Sequence, residues 1–124
     1  MNSVNQADIV SSWIKNCLEG GSNDERFWAW EVVDDAVRND PEQGWLLIIE
    51  LVKSSPNDKV LANIAAGPLE NLMNKNANEF IERIETFGRE SQEFRKCLTG
   101  VWNISPWDIY QRVLALTQSV TDPL

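Results

Sequence analysis

Apolar residues recur at spacings of three and four along nearly the whole chain, which is the period of an amphipathic α-helix. The first stripe predicts a helix over residues 4–18, ended by Gly20-Gly21. The second stripe predicts a helix that starts at Asn23 or Asp24 and ends near Arg38. No segment shows the sustained alternation of a half-buried strand. The pattern therefore predicts an all-α chain.

The third predicted helix has the strongest start signal in the sequence. Asp40 can cap it, Pro41 suits its first turn, and Gln43 completes a capping sequence. From there to about Lys53 the apolar arc covers more than half of the circumference. A helix with so broad an apolar arc is buried on most sides. We therefore expect it at the centre of the domain.

A break is predicted at Gly67-Pro68. The apolar stripe of residues 57–65 and that of residues 69–75 differ by roughly a quarter of a turn at the helical angle of about 100° per residue. Proline also removes a backbone donor and clashes with the preceding turn. We expect a break here, with Gly67 as the cap, Pro68 at the first position and Glu70 in the opening turn of a short helix that runs to about Lys75.

The remaining helices are predicted from their start signals. Asn76 or Asn78 begins one, Ser91 caps a short one, and Ser105-Pro106 opens the last, which runs to about residue 120. About seven short helices joined by short loops favour stacked antiparallel hairpins, as a compact bundle or a short HEAT-like array. Residues 1–120 are expected to form one all-helical domain, and residues 121–124 a frayed C-terminal tail.

Composition narrows the functional classes. The chain of 124 residues carries a net charge of −8, which argues against direct binding of nucleic acid. It has no apolar run long enough for a membrane span and no secretory signal at its start, so a cytoplasmic location is expected. Histidine is absent, and Cys17 and Cys97 are expected to be buried free thiols. No catalytic residue, metal site or cofactor is assigned.

The second helix carries a candidate partner-binding face. Residues 21–60 hold nine acids against four bases, and Glu31, Asp34 and Asp35 gather on one side of the helix. Phe27 projects onto that acidic side instead of onto the apolar one. An aromatic residue flanked by carboxylates can anchor a protein with a basic surface. The alternative is an ordinary solvated face with Phe27 folded under the helix start.

A candidate pocket involves Trp30, Trp102, Trp107 and Glu70. Trp30 lies at the edge of the apolar arc, and Trp102 and Trp107 flank a loop, where aromatic residues line a pocket or plug the open end of a helical domain. We favour plugging for the two loop residues. Glu70 is a general acid or base in one interpretation. In the simpler one it stabilises the first turn of its helix through the helix dipole.

Three strings of the sequence carry a family resemblance: FWAWE at 27–31, AGPLE at 66–70, and FIERIE at 80–85. The chain resembles, over residues 13–107, a family of small bacterial proteins whose function is unknown. The resemblance implies a bacterial, cytoplasmic protein and brings no activity, cofactor or catalytic residue with it.

Two classes of function remain. The first is a small acidic protein-interaction module, with an immunity protein that neutralises a bacterial toxin as its concrete version, because many toxins that attack nucleic acids are basic. The second is a carboxylate-based enzyme or small-ligand-binding domain that uses Glu31, Glu70 or Glu85 in a pocket lined by tryptophans. A gene for a toxin-like protein immediately upstream would favour the first.

Overall fold

Residues 5–124 are described by a computed structural model, and helices make up most of this part of the chain. The bounds are α1 Gln6–Glu19, α2 Phe27–Asn39, α3 Pro41–Ser54, α4 Asp58–Ile64, α5 Glu70–Glu90, α6 Gln92–Leu98 and α7 Trp107–Thr117, and a π-helical turn, Ala65–Leu69, joins α4 to α5. The prediction of an all-α fold is confirmed. Residue 4, where the first helix was expected to start, lies outside the described residues.

Side-chain caps begin several helices as predicted. Asp40 accepts a hydrogen bond from the Gln43 N–H at 3.4 Å at the start of α3, and Ser91 accepts one from the Phe94 N–H at 3.0 Å at the start of α6. The expected cap at Ser105 is wrong. Pro106 is the residue that precedes α7, and no side chain caps this helix. Ser105 therefore lies one residue too early for its hydroxyl to take the capping position.

The prediction that α3 lies at the centre is confirmed. Leu47, Ile48 and Leu51 are essentially inaccessible to solvent, and α3 packs against α1, α2, α4, α5 and α6. Trp45 closes one side of this core with its ring against three phenylalanine rings at centroid distances of 5.8 to 6.1 Å; these are Phe80, Phe87 and Phe94. Cys97 is a buried free thiol, and burial raises its pKa to about 12.

The junction at Gly67-Pro68 has a different form from the predicted break. The helix does not end at Gly67; it continues through the π turn, in which the Glu70 N–H donates to the Ala65 carbonyl five residues back. Pro68 has no N–H, so it cannot donate the α-helical hydrogen bond to the Ile64 carbonyl. In a π turn the donor comes from five residues later, so the Leu69 N–H takes this place. A π turn contains one residue more than an α-helical turn, and this residue shifts the apolar stripe around the helix as predicted. Leu69 and the following apolar residues therefore remain buried.

The expected second start at Asn76 is confirmed as a kink within α5. Asn76 has φ −132° and ψ 27°, values outside the helical range, between two regular helical stretches. The C-terminal residues differ from expectation. The structure holds the tail against α6 instead of leaving it frayed: Lys96 Nζ lies 2.9 Å from Asp122 Oδ2, and the Leu124 N–H donates to Thr99 Oγ1 at 2.9 Å. These polar contacts were not visible in the apolar pattern.

Candidate functional site

The orientation of α2 decides which of its side chains face the solvent. Ala29, Val33 and Val37 are buried against the core, whereas Glu31 and Asp35 are exposed. Val32 belongs to the apolar stripe of α2 but is 38% exposed. Phe27, Trp30 and Asp34 lie on the flank of α2 that faces the π turn.

The three predicted acids of α2 differ in their surroundings. Asp34 is half-buried, with 16% of its side chain exposed, and forms an ion pair with Arg38 one turn later. Asp35 accepts a hydrogen bond from Asn39 Nδ2 at 2.8 Å. Glu31 and Asp35 have no basic partner within ion-pair distance in residues 5–124, so their charges are available to a partner.

The rings of Phe27 and Trp30 form a stacked pair. Their centroids lie 5.1 Å apart and their planes differ by 11°. Phe27 is half-buried and Trp30 is 41% exposed, so the pair is supported by the protein and still open to solvent on one side. This geometry lies between the two interpretations of Phe27: the ring is held at the helix start, but it supports an exposed aromatic residue.

A groove runs beside this aromatic pair, and we call it the Trp30 groove. Its larger part is a cavity of about 320 Å³ lined by Trp13, Phe27, Trp30 and Gly67, among others. Trp13, Trp30 and Gly67 also line a smaller pocket of about 20 Å³, which reaches Asp34 and which we include in the Trp30 groove. The larger part lies between the α1–α2 connection on one side and the π turn on the other, so residues far apart in sequence form one site.

The loop before α2 is fixed by an ion pair that removes two further acids from the candidate surface. Arg26 donates to both Asp24 oxygens, from Nε at 2.8 Å and from Nη2 at 2.9 Å, and its backbone N–H donates to Oδ1 at 2.8 Å. These bonds with Arg26 hold the pKa of Asp24 well below its usual range. Arg26 also reaches Glu19 at 3.2 Å. The expected helix start at Asn23 or Asp24 is therefore wrong, because the Asp24 carboxylate is used within the loop and α2 begins at Phe27.

Glu70 has a structural partner. Its Oε1 accepts a hydrogen bond from the backbone N–H of Trp102 at 3.3 Å, which ties the start of α5 to the loop after α6. Glu85 is held by Arg112, whose Nε and Nη2 donate at 2.9 Å and 2.6 Å, and this guanidinium lowers the pKa of Glu85. Both glutamates lie on α5, fifteen residues apart and on either side of the kink at Asn76, and each pairs with a different segment of the chain. They do not meet in one site.

The structure does not bring all four candidate pocket residues together: Glu70 meets Trp102 through the hydrogen bond described above, but neither lies beside Trp30. Trp30 lines the Trp30 groove, whose walls include neither Glu70 nor Trp102 nor Trp107. The favoured interpretation of the loop tryptophans is wrong: Trp102 is 73% exposed and Trp107 is 68% exposed, so they plug nothing. Trp107 instead packs against Tyr110 on α7, with 5.4 Å between the ring centroids and the ring planes tilted by 32°.

Gly67 is a wall of the groove that could not be predicted from the sequence pattern. A Cβ on Gly67 would meet no atom within 4 Å, so the missing side chain leaves open space beside Trp30. The string AGPLE was the available signal, but its glycine is equally well explained as a residue that caps a helix. Its proximity to FWAWE follows from the packing of the π turn on α2, which no local pattern encodes.

Within residues 5–124, no helix combines the length and apolar character that crossing a membrane requires. In the comparisons with known proteins, a family model described as a family of unknown function, DUF6869, matches residues 17–120. Neither the curated proteins nor the solved structures give a match. The match agrees with the resemblance to a family without a known function and supplies no activity.

Proposed function

The chain belongs to DUF6869, a family of unknown function, and we propose that it acts as an acidic protein-interaction module that binds a partner with a basic surface. The observation that carries this proposal is the outer face of α2. There, Glu31 and Asp35 are exposed and lack ion-pair partners within residues 5–124, next to the Phe27/Trp30 pair. Charges of this kind steer association, and an aromatic anchor contributes most to the affinity.

The concrete version of the proposal is an immunity protein of the bacterial cytoplasm. Its partner would be a toxin with a basic active-site surface that the acidic face of α2 covers. The net charge of −8 supports attraction to such a partner and disfavours direct contact with nucleic acid. The alternative, an enzyme based on carboxylates, is less supported because Glu70 and Glu85 lie on either side of the kink in α5 and both have structural partners.

A charge reversal tests the interaction module. The variant Glu31→Lys/Asp35→Lys changes two exposed residues and leaves the Asp34–Arg38 pair in place. The control Glu79→Lys/Glu90→Lys makes the same change of net charge on exposed positions of α5. Partners captured from the source cell with the wild-type chain are identified, and their association with all three proteins is measured at two salt concentrations. We expect the α2 variant to associate at least tenfold more slowly with a weaker salt dependence, and the control to behave nearly as the wild type.

Capture of no partner, or equal association rates for the two reversed variants, would contradict the proposal. The immunity version is tested separately by co-expression with the product of the adjacent upstream gene. Wild-type chain should restore growth, and Glu31→Lys/Asp35→Lys should restore it less. Growth arrest that the wild-type chain does not relieve would contradict the immunity version.

A further inference from the structure

The Trp30 groove combines an aromatic surface with negative charge. Trp30 lines both the larger cavity and the smaller pocket, and Asp34 lines the smaller one. Among the described residues, no Lys or Arg lines either cavity. A volume of about 320 Å³ is at the low end of ligand pockets, which span about 300–1,000 Å³, so it suits one long side chain better than a cofactor.

Another part of this protein shows how an aromatic ring and a carboxylate together bind an arginine. The Arg83 guanidinium carbon lies 4.2 Å from the centroid of the Phe80 ring. The same group donates to both oxygens of Glu42, at 2.6 Å and 2.9 Å. One arginine thus stacks on an aromatic ring and pairs with a carboxylate at once. Beside the Trp30 groove, Asp34 already pairs with Arg38, so a second guanidinium has to share this carboxylate or replace Arg38.

Arginine fits this arrangement better than lysine. A guanidinium is planar, stacks on aromatic faces and pairs with a carboxylate through two parallel hydrogen bonds. It is also more weakly hydrated than an ammonium group, so its transfer from water into a half-buried groove costs less. Stacking of a cation within about 6 Å of a tryptophan ring adds to the affinity, and more so where the contact is desolvated.

We propose that the Trp30 groove receives an arginine side chain of the partner protein, which stacks against the Phe27/Trp30 pair and points its guanidinium towards Asp34. This inference rests on the proposed interaction with a basic protein and names its anchoring contact. The exposed acids Glu31 and Asp35 attract the partner, and the groove holds one side chain of it. Arg38 moves aside or shares Asp34 when that side chain enters.

Gly67 offers a variant that blocks the groove without changing its charge. Gly67 lines the groove, a Cβ there would meet no atom within 4 Å, and its backbone is helical, so Gly67→Leu adds bulk at this wall with little strain on the fold. Ala62→Leu is the matched control, because Ala62 is exposed on α4 and belongs to neither wall of the groove. Trp30→Ala is a second loss variant, chosen at a position that is 41% exposed.

The probe is the tripeptide acetyl-Ala-Arg-Ala-amide, titrated into the ¹⁵N-labelled protein at constant ionic strength. The indole N–H signals of Trp13 and Trp30, assigned through Trp→Phe variants, report on the groove. Peptides with lysine and with citrulline, the uncharged analogue of arginine, are compared. We expect saturable shifts with the arginine peptide, severalfold weaker binding with lysine, and at least tenfold weaker binding with citrulline. Gly67→Leu and Trp30→Ala should bind the arginine peptide at least fivefold more weakly than the wild type, and Ala62→Leu should bind it equally well.

The inference is wrong if the indole signals do not shift, if citrulline or lysine binds as well as arginine, or if folded Gly67→Leu and Trp30→Ala respond like the wild type. The proposed function survives that failure when the reversal of Glu31 and Asp35 still slows association of the physiological partner. The opposite result is also informative. If the groove binds arginine specifically but the reversal of Glu31 and Asp35 does not slow association of the partner, the groove is an arginine site and the acidic face does not steer association.

Discussion

Gly44 allows α2 and α3 to approach each other closely. A Cβ at this position would lie 2.8 Å from Val37 Cα and 3.0 Å from Val37 N. These are backbone atoms of the neighbouring helix, so they cannot turn away as a flexible side chain could. The absence of a side chain at Gly44 therefore sets the distance between the helix that carries the candidate interface and the central helix of the core.

We expect Gly44→Ala to destabilise the protein. The extra methyl group costs about 1–3 kcal/mol through overpacking, and the better helix propensity of alanine returns up to about 1 kcal/mol. The net free energy of unfolding, measured in urea, should fall by roughly 1–2 kcal/mol.

Gly67→Ala is the matched control, because its methyl group would meet open space in a helical turn. It should be neutral or stabilising by about 0.5–1 kcal/mol. Equal effects of the two substitutions would mean that α2 and α3 are not packed as closely as the structure shows.

At the scale of the elements, the connection between α4 and α5 shows what a sequence pattern can and cannot predict. The change of phase between Ile64 and Leu69 is visible in the apolar spacing, and Pro68 marks its position. The form of the junction is not visible, because an interrupted helix and a π turn both satisfy the same spacing. Only packing decides between them: the apolar residues on both sides, Ile64 and Leu69, are fully buried in one core.

Pro68→Ala tests whether the π turn depends on the missing N–H. Alanine restores a donor and makes a regular α-helix available, but that helix would rotate Leu69 and Leu72 away from the core. We therefore expect the free energy of unfolding to stay the same or to fall, without a rise in helix content by circular dichroism. A gain of several kcal/mol would mean that a straight helix can bury both stripes, and that the π turn is imposed by proline alone.

The other elements also fall into those that local sequence signals predict and those that depend on packing. Local signals were sufficient for α3, because Asp40 and Pro41 act within one turn of the helix they begin. They were insufficient for the start of α2, where Asp24 is taken by Arg26, and for the exposure of Trp102 and Trp107. The candidate site belongs to the second kind. Phe27 and the acids could be assigned to one face from spacing, but the groove beside them needs the π turn, which lies more than thirty residues away in the sequence.

Across the whole molecule, ion pairs join segments that are distant in the sequence. Glu42 pairs with Arg83 between α3 and α5, Glu85 with Arg112 between α5 and α7, and Asp122 with Lys96 between the tail and α6. In each pair the basic group lowers the pKa of the carboxyl group. Asp24, beside Arg26, is shifted in the same direction. The fold therefore favours the ionised form of these carboxyl groups.

This charge pattern predicts how stability depends on pH. A carboxyl group whose pKa is lower in the folded state stabilises the fold above its unfolded pKa of about 4, and this contribution is lost as the pH falls through the folded pKa. With no histidine in the sequence, we expect the free energy of unfolding to be nearly constant from about pH 5.5 to 7 and to decrease below about pH 4.

Urea unfolding across the pH range measures this profile, and Glu85→Gln should show a shallower decrease in acid because its carboxyl group no longer titrates. A step between pH 5.5 and 7, or an unchanged acid slope in Glu85→Gln, would contradict the account.

The π turn also affects how relatives of this chain should be compared. A turn with i→i+5 pairing contains one more residue than an α-helical turn, although both leave the helix running onwards. A relative with an unbroken α-helix at this junction would have one residue fewer between the positions equivalent to Ile64 and Leu69. An aligned pair would then show a one-residue gap opposite residues 65–68. That gap would mark the loss of one wall of the groove beside Trp30, even where the aromatic residues are retained.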